Sequence, residues 1–361
     1  MHVPIRTKGV NAMPSLAERV DVVIGVDTHK NTHTAAAVAA ATGAKLDELT
    51  IGTDSDGYAA LLTWAQSHPG DRVWSLEGAG GYGAGLARFL AAAGEVVFEL
   101  DRPVRAARRN GAKSDPLDAV RAAREALSRE HLAGPKTDGP RAQLAALMAA
   151  RRSAVEAATL AQHQLHALVI AAPDSLRALF RGQTTAVMLA TAAKLRPHTG
   201  WDPTTVTTAQ VLRRLARRSN DLTEEAAEHE KAITTLVKAW RPDLLELPGI
   251  GPIVAAQVLT AWSHQGRIRS EAAFAMLAGT APIPASSGML TRHRLNRSGD
   301  RQLNRALHVV ALSRTRYDQR TRDYIERRRA EGKTDREIRR CLKRYISRQL
   351  YRQLEHGGRL A

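Results

Sequence analysis

Residues 20–30 read Val-Asp-Val-Val-Ile-Gly-Val-Asp-Thr-His-Lys, an apolar run that ends abruptly at Asp27. A continuous Val/Ile run of this length predicts a strand that is buried on both faces. A carboxylate at the C-terminal end of such a strand lies where open α/β sheets place their chemistry. Asp27 is therefore the first candidate site residue. His29, two positions later, could face a substrate, but a polar loop residue is the commoner reading.

Three more carboxylates follow at comparable places. Residues 72–77, Arg-Val-Trp-Ser-Leu-Glu, predict a second short strand that ends at Glu77. Residues 113–119, Lys-Ser-Asp-Pro-Leu-Asp-Ala, open a helix with Asp115 and Asp118 three positions apart. Because Mg²⁺ takes hard oxygen ligands, acids at two strand ends and a helix start suit a two-metal phosphoryl-transfer site.

The two acids at the helix start also have a local explanation. Asp115 before Pro116 is a good helix N-cap, and Asp118 would then lie in the first turn, where the helix dipole favours negative charge. This explanation covers the helix pair, but it does not say why two strand ends of the same domain also carry acids. The metal interpretation accounts for all four residues.

The order of the predicted elements indicates the fold of the N-terminal third. Three strand candidates joined by short turns begin at residue 20 and predict an antiparallel meander. A helix, the strand ending at Glu77, a second helix and a strand at 95–100 follow. Helices at 104–109 and 116–127 close the segment. The order βββαβαβα is the plan of the ribonuclease-H-like fold, so the predicted class is α/β followed by α.

Composition divides the chain into four parts. We predict a leader at 1–19 and the α/β domain at 20–132, before a Pro- and Gly-rich boundary at 135–140. Apolar residues at helical spacing over 141–240 predict two long helices that pair as a coiled-coil-like hairpin. The sequence leaves open whether they pair within one chain or between chains. Residues 241–361 form the predicted C-terminal helical domain.

The C-terminal domain begins with a Pro-Gly-Ile-Gly turn. Residues 247–252 read Leu-Pro-Gly-Ile-Gly-Pro, with glycines at Gly249 and Gly251. This pattern predicts a helix-hairpin-helix, in which backbone N–H groups at a helix N-terminus hold a DNA phosphate without contacting bases. The alternative is a simple turn between two helices.

The positive charge of the chain is concentrated at its C-terminal end. The formal net charge is +17, and residues 285–361 alone carry 21 Lys and Arg against 8 Asp and Glu. Such a concentration favours a polyanionic partner, because each cation placed on a phosphate releases condensed counterions. A solvated helical face is the alternative. The candidate nucleic-acid contacts are Arg292, Arg294, Arg297, Arg301 and Arg305.

Several classes of protein are excluded. Cys341 is the only cysteine, which rules out an internal disulfide and a cysteine-based zinc site. The apolar runs fall short of the ~18 residues that span a bilayer, and no signal peptide is evident. We therefore predict a cytoplasmic protein with no membrane partner.

Two other enzyme classes share part of the N-terminal pattern. Residues 78–83, Gly-Ala-Gly-Gly-Tyr-Gly, fit the G-x-G-x-x-G dinucleotide fingerprint, with Glu99 and Asp101 at the end of the next strand. However, Glu77 would then abut a pyrophosphate, and the motif would fall on a fourth strand instead of opening the fold. A sugar kinase of the actin type would need a glycine-rich phosphate loop after Asp27, which the sequence lacks.

A serine pair between the turn and the basic tail is the last polar signal. Residues 282–288 read Pro-Ile-Pro-Ala-Ser-Ser-Gly, with Ser286 and Ser287 ahead of a run of arginines. An exposed hydroxyl with nearby cations has what a phosphate nucleophile needs. The same residues are also ordinary in a loop.

Taken together, these motifs resemble one known family over roughly residues 21–350. They look like the DEDD-type insertion-sequence transposases, which are serine-dependent, bridge-RNA-guided recombinases with a ribonuclease-H-like (RuvC-like) N-terminal domain. The motifs that carry the resemblance lie around Asp27, around Glu77, at 113–119, at 247–251 and at 285–288.

The resemblance implies a division of labour. Asp27, Glu77, Asp115 and Asp118 would form a Mg²⁺-binding catalytic tetrad. Ser287 would attack a DNA phosphate and form a covalent phosphoserine link, with Ser286 as the adjacent candidate. Family members act as oligomers, so a dimer or tetramer is expected, and a structured guide RNA pairs with donor and target double-stranded DNA. After the serines, Met-Leu-Thr-Arg-His-Arg at 289–294 departs from the glycine- and lysine-rich continuation of many members.

Two other functions fit part of the pattern. A Mg²⁺-dependent endonuclease of the Holliday-junction type would use water as the nucleophile and would need neither serine nor RNA. A nucleic-acid scaffold without catalysis would need only the turn at 247–251 and the basic tail. Loss of the carboxylate tetrad would leave the scaffold function intact and abolish the endonuclease.

Overall fold

The computed structural model describes residues 15–100, 115–285 and 293–357. The helix predicted at 104–109, the serine pair and Arg292 lie outside the described residues. The chain divides into two compact units, Met1–Lys136 and Thr137–Ala361.

The N-terminal unit is a mixed α/β sheet with helices. Its strands are β1 Val22–Thr28, β2 Thr32–Ala39, β3 Lys45–Gly52, β4 Arg72–Glu77 and β5 Val97–Leu100. Its helices are α1 Ser55–Gln66, α2 Ala84–Ala92 and α3 Asp115–Ser128, and a 3₁₀ turn at Leu16–Glu18 precedes β1.

The strand order in the sheet is β3-β2-β1-β4-β5. β1, β2 and β3 pair antiparallel as the predicted meander, whereas β4 lies parallel to β1 and β5 lies parallel to β4. This confirms a mixed α/β sheet, and the arrangement is consistent with a ribonuclease-H-like domain.

β1 lies at the centre of the sheet and is buried on both faces, as its Val/Ile run predicts. Every residue of β1 up to Asp27 is buried. Ile24 and its alternate neighbours pack with Trp74, α1 and α2 on one face. Val23 faces the other side, where it packs with α3. Alternate side chains of one strand therefore enter two separate cores.

The described residues of the C-terminal unit are helical apart from one small hairpin. Its helices are α4 Pro140–Ala171, α5 Asp174–Arg177, α6 Thr185–Lys194, α7 Pro203–Trp240, α8 Pro252–Trp262, α9 Glu271–Leu277, α10 Arg301–Tyr317, α11 Gln319–Ala330 and α12 Asp335–His356. The hairpin pairs β6 Ile283–Pro284 with β7 His293–Arg294, and 3₁₀ turns lie at Ala178–Phe180 and Pro242–Glu246.

The two long helices α4 and α7 pack against each other within one chain. Arg151 and Glu230 form an ion pair at 2.8 Å, and Gln162 donates a hydrogen bond to Ser219 at 3.1 Å. Since a later residue of α4 meets an earlier residue of α7, the pair is antiparallel. Its coiled-coil character stays a prediction.

The rest of the C-terminal unit surrounds α8. Eight of the eleven residues of α8 are buried, in one core shared with α9, α10 and α12. In the described part of the chain, no helix has both the length and the apolar character needed to cross a membrane.

Candidate functional site

The first two predicted acids lie at the same edge of the sheet. The last register pair of the parallel strands β1 and β4 joins Val26 to Leu76. Asp27 and Glu77 each follow that pair by one residue, so they occupy equivalent positions on neighbouring strands. The Thr28 hydroxyl donates a hydrogen bond to the backbone oxygen of Glu77 at 2.7 Å, which ties the two strand ends together.

A glycine in β1 brings α3 against the sheet. A Cβ atom at Gly25 would lie 2.0 Å from the Ala119 backbone oxygen and 2.5 Å from the Ala123 nitrogen. Only a residue without a side chain fits such a close approach. The buried Ser75 hydroxyl adds a 3.0 Å hydrogen bond to the Ala122 oxygen of the same helix. The first turn of α3 is thereby held near the end of β1.

Three potential ligand atoms converge at this edge. His29 Nε2 lies 3.1 Å from Asp27 Oδ2 and 3.5 Å from Asp115 Oδ1. The ligand atoms of Asp27, His29 and Asp115 all lie within 4.8 Å of one another. The structure therefore brings together two predicted acids and one histidine that the sequence pattern had favoured as a loop residue.

The missed histidine had a weak signal in the sequence. Residues two apart on an extended chain point to the same side, so Asp27 and His29 share a face. A carboxylate and an imidazole at that spacing, just at a strand end, are compatible with metal binding. The spacing alone does not distinguish such a pair from a polar turn.

The other two acids of the tetrad lie outside the 4.8 Å group found among the described residues. Asp118 forms an ion pair with Arg121 at 2.7 Å. Glu77 is partly buried at the end of β4 and has contacts of its own. Their roles as metal ligands stay predictions.

The electrostatics of Asp27 are those of a crowded, buried carboxylate. Burial is the largest effect and raises its pKa, while the charge and hydrogen bond of His29 lower it. The nearby charges of Asp118 and Asp115 raise the pKa of Asp27 further. A cation among these groups would relieve both the repulsion and the desolvation of the charged form. Carboxylate oxygens and an imidazole nitrogen are donors that divalent metals accept, so the residues fit such an ion.

The turn at 247–251 lies between a 3₁₀ turn and α8. Gly249 has φ 76°, and a Cβ there would lie 3.2 Å from the side chain of Ser313 on α10. Arg314 of α10 also donates a 2.8 Å hydrogen bond to the Pro248 oxygen. Gly251, in contrast, is exposed and caps α8 without a side-chain hydrogen bond. The helix-hairpin-helix stays a prediction.

Four of the five predicted nucleic-acid arginines are described, and all four are exposed. None of them forms an ion pair with another described residue. Arg301 begins α10, behind the N-cap Asp300. Exposed cations without ion-pair partners among the described residues suit a surface that binds a polyanion. They suit a solvent-exposed helical face equally well. These residues are Arg294, Arg297, Arg301 and Arg305.

Two family models match the chain. A model of the DEDD IS110 type, described as a transposase, matches residues 24–171. A model described as "Transposase IS116/IS110/IS902 family" matches residues 242–326. The first match covers the sheet and its candidate metal ligands. The second covers the turn at 247–251 and the four described candidate arginines, and it ends within α11.

Two proteins of bacterial insertion elements are similar to part of the chain. The "Insertion element IS900 uncharacterized 42 kDa protein" of Mycobacterium paratuberculosis is 33% identical over 129 residues, 35% of this chain and 32% of the relative. The "Insertion element IS110 uncharacterized 43.6 kDa protein" of Streptomyces coelicolor is 33% identical over 135 residues, 37% of this chain and 33% of the relative. The match thus spans about a third of the length of each relative.

Proposed function

We propose that the protein is a transposase of the IS110/IS116 family, to which both matched segments point. In this proposal it cleaves and rejoins DNA strands with the help of a divalent metal. The observation that carries this proposal is the convergence of Asp27, His29 and Asp115 within 4.8 Å at one sheet edge. Acids at the ends of parallel strands are where such a sheet presents its chemistry.

The carboxylates have a defined task in this scheme. Asp27 and Asp115 would hold Mg²⁺ through their oxygens, with Glu77 and Asp118 completing the tetrad. A bound divalent cation supplies Lewis-acid stabilisation of the charge that develops on the phosphate oxygens. His29 orients Asp27 through their 3.1 Å contact and can also offer its nitrogen to the ion. The carboxylate oxygens suit Mg²⁺ or Mn²⁺, whereas an imidazole nitrogen is a ligand that softer divalent metals prefer.

The nucleophile of the proposed reaction is Ser287, with Ser286 as the neighbouring candidate. Its hydroxyl oxygen would bond to the phosphorus while the bond from phosphorus to one of the flanking nucleotides breaks. The hydroxyl gives up its proton, and the leaving oxygen takes one up. Because one phosphodiester is exchanged for another, the reverse reaction can reseal a strand without ATP.

The proposed partners follow from the same family resemblance. They are double-stranded donor and target DNA, a structured guide RNA and further copies of this chain in a dimer or tetramer. The net charge of +17 supports a nucleic-acid partner in general, because it provides the phosphate-binding cations that such complexes require.

The second candidate function is a metal-dependent endonuclease of the Holliday-junction type. The cluster of Asp27, His29 and Asp115 supports it directly, since carboxylates and a metal can activate water without any serine. In that reaction water bonds to the phosphorus, one strand is cut, and no bond energy is kept for rejoining.

One experiment separates the two functions. The full chain is incubated with RNA transcribed from the DNA flanking its gene, with Mg²⁺ and with labelled donor and target DNA. We expect a protein–DNA adduct that survives denaturation, is lost in Ser287→Ala and is kept in Ser286→Ala. The opposite pattern would assign the nucleophile to Ser286. Cleavage without an adduct in any variant would establish the endonuclease, and DNA left intact under every condition would refute both.

A further inference from the structure

A cavity of about 730 Å³ lies in the C-terminal unit between the β6–β7 hairpin and α12. Its volume falls in the range of about 300–1,000 Å³ that is common for ligand pockets. One wall is formed by Pro282, His293 and Arg294, and the other by one face of α12. The cavity belongs to neither the carboxylate cluster nor the turn at 247–251.

The lining of this cavity is strongly cationic. One acid, Glu337, is among its residues, and the Glu337 carboxylate accepts hydrogen bonds from the Thr334 nitrogen and hydroxyl at 2.9 and 2.8 Å. Glu337 therefore takes part in the capping box of α12, whose N-cap is Thr334. The six cations that line the cavity are Arg294, Lys333, Arg340, Lys343, Arg344 and Arg348.

Lys343 is held in place with no ion-pair partner among the described residues. Its ammonium donates to Asn304 Oδ1 at 2.6 Å, which uses one of its three donors. Asn304 is itself oriented, because its amide nitrogen donates to the Ala278 and Gly279 oxygens at 2.6 and 3.2 Å. Burial lowers the pKa of Lys343. A fixed and partly desolvated ammonium is stabilised by an anion.

Arg344 has an unused donor. Its Nη1 atom is buried and has no hydrogen-bond partner among the described residues. Burial, followed by the charge of Arg348, lowers the pKa of Arg344. Arg348 is neutralised in part by Glu271 at 2.9 Å, but Glu271 also pairs with Arg352 at 2.6 Å. A buried guanidinium nitrogen without a partner needs an acceptor, and a phosphate oxygen is the acceptor that best fits a guanidinium fork.

The rim of the cavity adds an aromatic ring. Tyr345 lines the cavity and is 53% exposed. Cations along a backbone path together with an exposed aromatic side chain are the usual means of holding single-stranded nucleic acid. The volume admits a nucleotide of a single strand, whereas a duplex could reach only the rim.

We propose that this cavity binds a backbone phosphate of a single nucleic-acid strand, with Lys343 and Arg344 as its principal contacts. The inference deepens the proposed function, on which it rests, by assigning a place in the C-terminal unit where an unpaired strand is held. Arg294, at the end of β7, would contact the same strand from the opposite wall.

Cys341 provides a direct probe, since it is the only cysteine of the chain and lines the cavity. The rate at which N-ethylmaleimide alkylates Cys341 is measured by mass spectrometry on the full chain, with and without a short single-stranded DNA, the same sequence as RNA, and the matched duplex. We expect a single strand to slow alkylation roughly tenfold at about ten times its Kd, since about a tenth of the cavities then stay open.

Variants test which residues hold the strand. Arg344→Ala and Lys343→Met should each raise the strand concentration needed for protection about tenfold or more, as expected for a charge-assisted hydrogen bond. Arg339→Ala removes the same charge from an exposed position of α12 that does not line the cavity, and should leave protection almost unchanged. An equal effect of Arg339→Ala would mean general electrostatic attraction and would overturn the proposal.

The outcomes distinguish this proposal from the proposed function. Protection by DNA or by RNA supports the cavity assignment and identifies which strand occupies it. Nucleic acid that binds by gel retardation while Cys341 reacts at its full rate overturns the cavity assignment and leaves the proposed function intact. Equal protection by the duplex overturns the single-strand assignment. No binding of any nucleic acid overturns the proposed function as well.

Discussion

At the scale of single residues, the candidate metal site depends on a carboxylate that is buried near other acids. Asp27 is only 8% exposed, and its pKa is raised first by burial and further by Asp118 and Asp115. A carboxyl group whose pKa is raised by folding favours the native state while it is protonated. That contribution is present below its ordinary pKa of about 4 and is lost as pH rises through the raised value.

Asp27→Asn should therefore stabilise the metal-free protein at neutral pH. The asparagine removes a charge that is disfavoured by burial, so we expect its Tm at pH 7 to exceed that of the wild type by roughly 2–4 °C. The difference should close as pH falls toward about 4, where the wild-type carboxyl becomes protonated. Thermal unfolding in a chelating buffer measures both effects.

The matched control is Asp56→Asn, which changes an exposed acid in the first turn of α1. Asp56→Asn should not raise the Tm at pH 7. Added Mn²⁺ or Mg²⁺ should raise the Tm of the wild type and of the control, because ligand binding stabilises the native state, but not that of Asp27→Asn. A lower Tm for Asp27→Asn at pH 7 would contradict this account of the site.

Gly25 is the second decisive residue, because its missing side chain permits α3 to approach β1. Gly25→Ala would place a Cβ 2.0 Å from a backbone oxygen, so α3 has to move. We expect a loss of about 1–3 kcal/mol or more in the free energy of unfolding, as for other overpacked cores. Denaturant unfolding measures this loss.

Gly81→Ala is the control for this substitution. A Cβ at Gly81 would lie 3.6 Å from the Gly78 backbone oxygen, which is an ordinary contact. Gly81→Ala should leave stability within about 0.5 kcal/mol of the wild type.

Because the shift of α3 also displaces Asp115, Gly25→Ala should lose metal-induced stabilisation as well. Similar unfolding curves for the two variants would refute the close-packing argument.

At the scale of elements, the packing of α4 against α7 can be tested separately from the packing of the sheet. Leu165 of α4 is fully buried in the core where α4 and α7 meet α5 and α6. Leu165→Ala should destabilise this core by about 2–5 kcal/mol, because the cavity left behind adds to the lost burial. Leu160→Ala, at a site that is 57% exposed on the same helix, should have little effect.

Hydrogen exchange measures this prediction region by region. Amides of α4 and α7 near Leu165 should exchange faster in Leu165→Ala, while amides of β1 should not change, since the sheet has cores of its own. Faster exchange throughout the sheet would mean that the two units unfold together.

The elements also show what the sequence could predict. The Val/Ile run of residues 20–26 and the short turns after it were enough for the antiparallel meander, and residues 72–77 indicated the strand that ends at Glu77. These signals are local, since they depend on alternation and on turn residues. The acids at 27 and 77 were predictable for the same reason, because each ends its strand.

Other features could not be predicted because packing creates them. His29 joins Asp115 only because Gly25 and Ser75 bring α3 against the sheet, and no pattern in the sequence specifies that approach. The cationic cavity combines a hairpin at 283–294 with residues of α12 that lie about fifty positions later. Composition alone showed that the C-terminal tail is basic. It could not distinguish Lys343 and Arg344, which line the cavity, from the cations that face solvent.

At the scale of the whole molecule, the charge of +17 should govern nucleic-acid affinity. If the protein contacts about six to ten phosphates, its affinity for DNA should fall roughly 10³- to 10⁵-fold between 50 and 200 mM salt. The slope of log affinity against log salt concentration gives the approximate number of phosphate contacts. Fluorescence anisotropy with a labelled duplex measures this slope.

Removal of single cations should change the slope in a position-dependent way. Arg301→Gln and Arg305→Gln should each reduce it by about one, as expected for a phosphate contact. Arg151→Gln changes a cation that is already paired with Glu230 on the helical hairpin, and should leave the slope unchanged. A uniform reduction in all three variants would mean that total charge matters and that these positions do not.

The most direct measurement is strand cleavage of a labelled DNA substrate, with the flanking RNA present, as a function of Mg²⁺ or Mn²⁺ in the wild type, Asp27→Asn and Asp115→Asn. We predict that cleavage needs the divalent ion, is abolished by a chelator, and drops about a hundredfold or more in both variants while each remains folded. Wild-type cleavage rates in either variant, or cleavage that persists in the chelator, would contradict the claim that this sheet edge is the catalytic metal site.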